Sequence, residues 1–234
     1  MHMSLERYSV IDKKNPREIV LLKSTPCRWG KCEFCDYIHD NSTDELHIIE
    51  FNKEVLSCIT GEYKQIEIIN SGSCFELPTE TLKDIKDIVE ERSIETLYFE
   101  SHYMYRHRLD EIRDFFNAKI IFKCGIETFD SDFRKVLNKG FDASVEDIAK
   151  HFSSICLMVG IKGQTKAMIA KDIRLLEEQF DRGCINVYVD NTTHIKKDIE
   201  LISWFEKEYA YLEDNPQIEV LWHNTDFGVG GTNE

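Results

Sequence analysis

A chain of 234 residues, 42% hydrophobic and 31% charged with four prolines, has the composition of a folded soluble protein and the length for one substantial core. Its net charge of −14 argues against a nucleic-acid backbone as partner, because displacing counterions from phosphates requires a basic face. No apolar run approaches the roughly 20 residues of a membrane helix, the opening Met1 to Glu6 does not resemble a signal peptide, and a cytoplasmic protein is expected.

Periodicity predicts a first buried strand over Glu18 to Lys23, ending in a loop at Ser24-Thr25-Pro26. A helix follows over Thr43 to Cys58, then a strand over Gln65 to Asn70, a helix over Thr79 to Glu91 opened by Pro78, and a strand over Thr96 to Glu100. A helix at Leu109 to Phe116 leads to a strand at Lys119 to Cys124, and helical patterns at Ser131 to Leu137 and Val145 to Phe152 precede a strand at Ser154 to Val159. The series closes with a helix at Thr165 to Phe180, a strand at Ile185 to Val189, a helix at Lys197 to Tyr211, the apolar stretch Ile218 to Trp222, and a loose tail at Gly228 to Thr232.

Six strands, each followed by a helix, imply parallel pairing with right-handed crossovers, either as a partial barrel or as an open doubly wound sheet. Both arrangements gather chemistry at the C-terminal ends of the strands. No repeat or linker-like stretch divides the chain, so one domain over 1–234 is expected, with its core at about 18–212 and an extension at 213–234.

Eight cysteines without a secretion signal do not read as a disulfide framework. Cys58, Cys74, Cys124, Cys156 and Cys184 are scattered, mostly in apolar surroundings, and read as small hydrophobes. Cys27, Cys32 and Cys35 instead fall within nine residues, in the loop after the first strand, at the spacing C-x4-C-x2-C. Three thiolates can hold an iron-sulfur cubane and leave one iron open to an exchangeable ligand. With His39 the same segment makes a Cys3His set for zinc. Spacing alone leaves both open, although a zinc module is usually small and self-contained, whereas this loop opens a long strand-helix series.

A three-cysteine loop after the first strand, with Phe34 just before the last cysteine, resembles the radical S-adenosylmethionine (SAM) superfamily. The commonest spacing there is C-x3-C-x2-C, one residue shorter than here. The resemblance implies a partial (βα)6 TIM-like barrel. It also implies a [4Fe-4S] cluster on Cys27, Cys32 and Cys35, whose open iron chelates SAM, and reductive cleavage of SAM to a 5'-deoxyadenosyl radical. By the same resemblance Phe34 lies beside the adenine, and Ser71-Gly72-Ser73 stands where relatives carry a Gly-Gly-Glu-type stretch that binds the SAM amino group. Gly125-Ile126-Glu127-Thr128 with Asn138-Lys139-Gly140 resembles a paired motif of several branches, making Glu127 the expected ribose contact, with a structural ion pair as the plain alternative. Gly160 and Gly163 resemble the turn near the adenine, a position where any strand-helix turn also favours glycine.

Two further strand ends carry polar groups, Glu100 with His102 and Asp190 with Asn191, and these are the expected substrate contacts, since carboxylates and amides can read the edge of a base. The likeness within the superfamily implies a lyase that breaks a carbon–nitrogen bond of a small 7-deazaguanine substrate, served by a flavodoxin- or ferredoxin-type electron donor. A radical SAM enzyme acting on another purine-like or tRNA-derived substrate, and a zinc-binding module without catalysis, are the alternatives.

Overall fold

The computed structural model describes residues 6–222. The first five residues and the tail at Gly228 to Thr232 lie outside the described residues. None of the described helices is long and apolar enough to cross a membrane.

The chain divides into two compact units. One comprises Met1–Gly30 with Ile38–Phe122, and the other Lys31–Tyr37 with Lys123–Glu234. In the first, β1 (Tyr8–Ile11) pairs antiparallel with β2 (Arg17–Leu22), and β2, β3 (Gln65–Asn70) and β4 (Thr96–Glu100) follow in parallel. The crossovers are the helices α1 (Glu45–Leu56) and α2 (Thr79–Arg92), and α3 (Leu109–Phe115) leads on to β5 (Lys119–Glu127). All six residues of β2 are buried, as expected of a parallel strand covered on both faces.

In the second unit β5 continues through α4 (Ser131–Val136) and α5 (Val145–Ala149) to β6 (Ser154–Val159), then α6 (Lys166–Gln179), β7 (Arg182–Val187), α7 (Ile199–Glu208) and β8 (Ile218–Leu221). Strands β5 to β8 are parallel, and strand order follows chain order. Side chains of Asp44, Asp130, Ser144, Thr165 and Asp198 each accept a backbone N–H in the first turn of the helix they precede. Such caps satisfy donors that have no intrahelical partner.

Three strands differ from the sequence expectation. β1 went unpredicted: only four residues long, it is an edge strand held by pairing with β2. β7 starts at Arg182 rather than Ile185, because in-register pairing with β6 overrides the weak strand tendency of Arg182-Gly183. β5 runs on from Cys124 to Glu127 through a bulge between Gly125 and Glu127, where Glu127 takes φ +65°.

Buried charges at the strand starts are satisfied. Glu18, which has no solvent exposure, accepts from Thr60 N (2.6 Å), Gly61 N (2.7 Å) and Tyr8 Oη (2.9 Å). Arg17 donates to Glu67 at 2.6 Å and lies over the Tyr98 ring. Both groups tie strand starts together rather than serve chemistry, since a buried ion must be paired or neutralised.

Candidate active site

The first unit carries Cys27 in the loop that leaves β2. Asn52 of α1 holds the start of this loop by accepting from Lys23 N (2.8 Å) and donating to Lys23 O (2.9 Å). Thr25 then donates through N and Oγ1 to the carbonyl of Glu76, at 3.1 and 2.9 Å. Arg28 N donates to Glu76 Oε1 at 3.3 Å. With its amide oriented to satisfy both neighbours, Asn41 accepts from Cys27 N (3.3 Å) and donates to Ser71 O (3.1 Å). Gly30 lets the loop double back: its φ is +56°, and an added Cβ would stand 2.9 Å from Cys27 O.

The turn after β3 lies against this loop. A Cβ on Gly72 would stand 3.5 Å from Cys27 Cα and Cβ and 3.1 Å from Glu76 Oε2, so the two segments meet at van der Waals distance. The hydroxyls of the turn have partners within the fold. Ser71 Oγ is 3.1 Å from Ser24 Oγ, and Ser73 Oγ accepts from His102 N at 2.8 Å. His102 follows β4, its Nδ1 accepts from Met104 N, and Trp29 stacks on its ring at 6.3 Å. Glu100, at the end of β4, is half-buried.

The second unit carries Cys32 and Cys35. Cys35 N donates to Cys32 O at 3.2 Å, which closes a tight turn, and Glu33 N donates to Leu137 O at 3.1 Å. Phe34 inserts among Phe133, Leu137, Met158, Ile161 and Tyr188, with Cys32 and Cys35 packed alongside. Full burial of such a ring is worth roughly 2–3 kcal/mol, enough to hold a short loop in place. Asn191 completes the attachment by donating from Nδ2 to Phe34 O at 2.7 Å, while its Oδ1 accepts from Thr193. Asp190 accepts from Lys197 N at 2.7 Å. Both residues therefore have structural work in the loop after β7, whatever they add toward a substrate.

Glu127 forms an ion pair with Lys139 at 2.6 Å, and the ammonium lies 5.4 Å from the centre of the Phe34 ring. Burial alone would lower the pKa of Lys139, but Glu127 and Cys32 outweigh it, so the shift is upward and the side chain stays cationic. Gly125 makes room for the pair: a Cβ there would stand 2.9 Å from Glu127 Oε1 and 3.1 Å from Lys139 Nζ.

Gly160 and Gly163 adopt φ +90° and +99°. An added Cβ at Gly160 would reach 2.3 Å from Ile202 Cγ1 of α7, and one at Gly163 would reach 3.2 Å from the Phe133 ring. Gln164 braces the same turn, accepting from Ile161 N and donating to Met158 O. Turn conformation and close packing thus account for both glycines without any ligand.

None of the eight cysteines is in a disulfide; Cys27, Cys32 and Cys35 are partly exposed, whereas Cys74, Cys124, Cys156 and Cys184 are buried. Burial raises the pKa of the Cys74 thiol strongly, as suits an inert core residue. His39 is exposed on a short 3-10 turn, Tyr37–Asp40. Among the described residues no three His, Cys, Asp or Glu side chains stand preassembled around a metal position. The donor chemistry of the three loop thiols fits an iron-sulfur cluster, for which thiolates are the usual ligands.

A solved structure of queuine lyase from Clostridium spiroforme bound to SAM and queuine matches 97% of this chain and 100% of its own, at 53% identity and a TM-score of 0.94. The chain belongs to the radical SAM enzymes, in the queuine lyase family. Its fold is the α/β partial barrel of that superfamily. Coproporphyrinogen III oxidase from Escherichia coli, a radical SAM enzyme, shares the fold at 15% identity and a TM-score of 0.54 over 84% of this chain and 52% of its own. A radical SAM methyltransferase from Sphaerobacter thermophilus does so at 14% identity and 0.58, over 91% and 67%. No protein-family model and no curated protein matches the chain. Radical SAM enzymes work with a [4Fe-4S] cluster and SAM, so membership decides between the cluster and the zinc site that spacing had left open.

The sequence reading passed over Glu76, Lys139 and Tyr188. Ser73-x-x-Glu76 was legible as a capping box, and the structure contains it. Lys139 lies within Asn138-Lys139-Gly140, where sequence alone gives it no role, and nothing local marks Tyr188 as a wall of the Phe34 pocket.

Proposed function

We propose that this chain is a queuine lyase that cleaves a carbon–nitrogen bond of queuine and releases 7-aminomethyl-7-deazaguanine. The observation that carries the reading is 53% identity across essentially the whole length of a queuine lyase whose solved structure holds SAM and queuine. The net charge of −14 also suits a small base whose side-chain amine is cationic near neutral pH better than a polyphosphate.

Cys27, Cys32 and Cys35 would hold the cluster. When bound, cluster and SAM supply one-electron cleavage of SAM and, through it, abstraction of hydrogen from the substrate. The chain's own residues bind and orient. Phe34, fixed by its apolar pocket and by Asn191, presents a ring for the adenine, and Glu127, paired with Lys139, offers a carboxylate to a ribose hydroxyl. The turn Ser71-Gly72-Ser73 offers backbone groups to the SAM amino group, its hydroxyls being engaged in the fold. Gly160 and Gly163 shape the turn beside the adenine. Glu100, His102, Asp190 and Asn191 are the proposed substrate contacts, with Asn191 acting also through the loop it anchors. The protein works as a single catalytic domain in the cytoplasm, where a flavodoxin- or ferredoxin-type protein donates the electron.

Anaerobically reconstituted protein given SAM, a reductant and queuine should form 5'-deoxyadenosine and the aminomethyl base. Absence of deoxyadenosine would sink the radical reading. Deoxyadenosine formed with another purine-like base or a tRNA fragment, and not with queuine, would sink the substrate assignment alone.

A further inference from the structure

We propose that Glu76 is a positioning residue that fastens the segment Thr25 to Arg28 to the turn after β3 and so holds Cys27 ready to ligate the cluster. The inference rests on the reading of Cys27 as a cluster ligand. Glu76 is 7% exposed, and its three oxygens serve both segments. The carbonyl takes both donors of Thr25, Oε2 takes Ser73 N, and Oε1 takes Arg28 N at 3.3 Å and Tyr105 Oη at 2.5 Å.

A capping box explains only part of this. It requires one oxygen on Ser73 N, and the helix it caps is a three-residue 3-10 turn, Cys74–Glu76. The second oxygen is turned outward, to the peptide directly after Cys27 and to a phenol that arrives from the loop after β4. An ionised carboxylate only accepts, so a donor from Arg28 fits it, and bonds to a charged acceptor are among the stronger ones. Burial, followed by the bond to Glu76, raises the Tyr105 pKa, which keeps the phenol protonated as a donor. Phe75 stacks on Tyr105 at 4.6 Å and fixes the ring from its other side. Gly72 suits the arrangement, because a side chain there would press on Glu76 Oε2 while only touching Cys27.

Glu76→Gln separates the two roles. Glutamine serves a capping box as well as glutamate does, but in either orientation of its amide one N–H donor must face Ser73 N or Arg28 N, so one tether is lost. Wild type, Glu76→Gln and Tyr105→Phe are reconstituted anaerobically with iron and sulfide. Three quantities are then measured: the rate of iron release to a ferrous chelator, the paramagnetic resonance spectrum of the reduced cluster with and without SAM, and the melting midpoint of the metal-free chain. Glu76→Gln should release iron about tenfold faster than wild type, the equivalent of one lost hydrogen bond to a charged acceptor, and should alter the spectrum. Tyr105→Phe should release it about threefold faster at an unchanged midpoint. Wild-type release rates and spectra in both variants, or a lowered midpoint alone, overturn the positioning role while leaving the function intact. A wild type that takes up no iron overturns the functional reading and the inference with it. Should Glu76→Gln fail to fold, a wild-type release rate in Tyr105→Phe is by itself the overturning result.

Discussion

Two cysteines of one chain can differ sharply in what their loss should do. Replacing Cys32 by alanine should abolish cluster binding, read as iron content and loss of absorbance near 400 nm, while Cys156→Ala should cost only packing stability, about 1–2 kcal/mol. Lys139→Met is a different case: it strands the Glu127 carboxylate in a buried setting. Breaking a buried pair from one side costs about 3 kcal/mol, and urea unfolding of the metal-free chain should show it. Restoring neutrality with Glu127→Gln in the same chain should recover a large part of that loss. The three loop cysteines stand out in the sequence because their spacing is local, although spacing alone left a cluster and a zinc site both open. Glu76 was not legible as a tether, because its donors come from residues 28 and 105, and only the folded turn brings them to one carboxylate.

Among the elements, the alternation of apolar runs with amphipathic stretches marked the inner strands and their helices, since two-sided burial leaves continuous hydrophobic runs. β1 escaped because a four-residue edge strand carries almost no periodic signal, and its place is set by pairing with β2. The turn after β6 shows tertiary control of a single position. Gly160→Ala combines positive-φ strain with a contact of 2.3 Å to Ile202 Cγ1, and should destabilise the protein by about 3 kcal/mol. Adding Ile202→Ala should relieve the clash and leave the backbone strain, so a double-mutant cycle by urea unfolding should be strongly non-additive. Additive losses would mean that Ile202 moves aside at no cost.

Over the whole molecule, charge sets the response to pH. Asp172 on α6 accepts from Phe129 N at 2.7 Å, and burial pushes its pKa up to about 6 against an ordinary 3.8. A carboxyl whose folded pKa is raised favours the folded state while protonated. Its contribution is complete below about pH 4 and is lost as pH rises through about 6, for a total of up to about 3 kcal/mol. The excess of acidic residues works in the same direction. Asp172→Asn should therefore flatten the dependence of unfolding free energy between about pH 4 and 6 without removing it, and an unchanged slope would contradict the assignment. Gly125 extends the argument from one molecule to a lineage. Because its missing side chain is the space that Glu127 and Lys139 occupy, the three positions are not independent letters. Descendants should keep or lose them together, and a larger residue at 125 should be found only in chains whose carboxylate and ammonium have already gone.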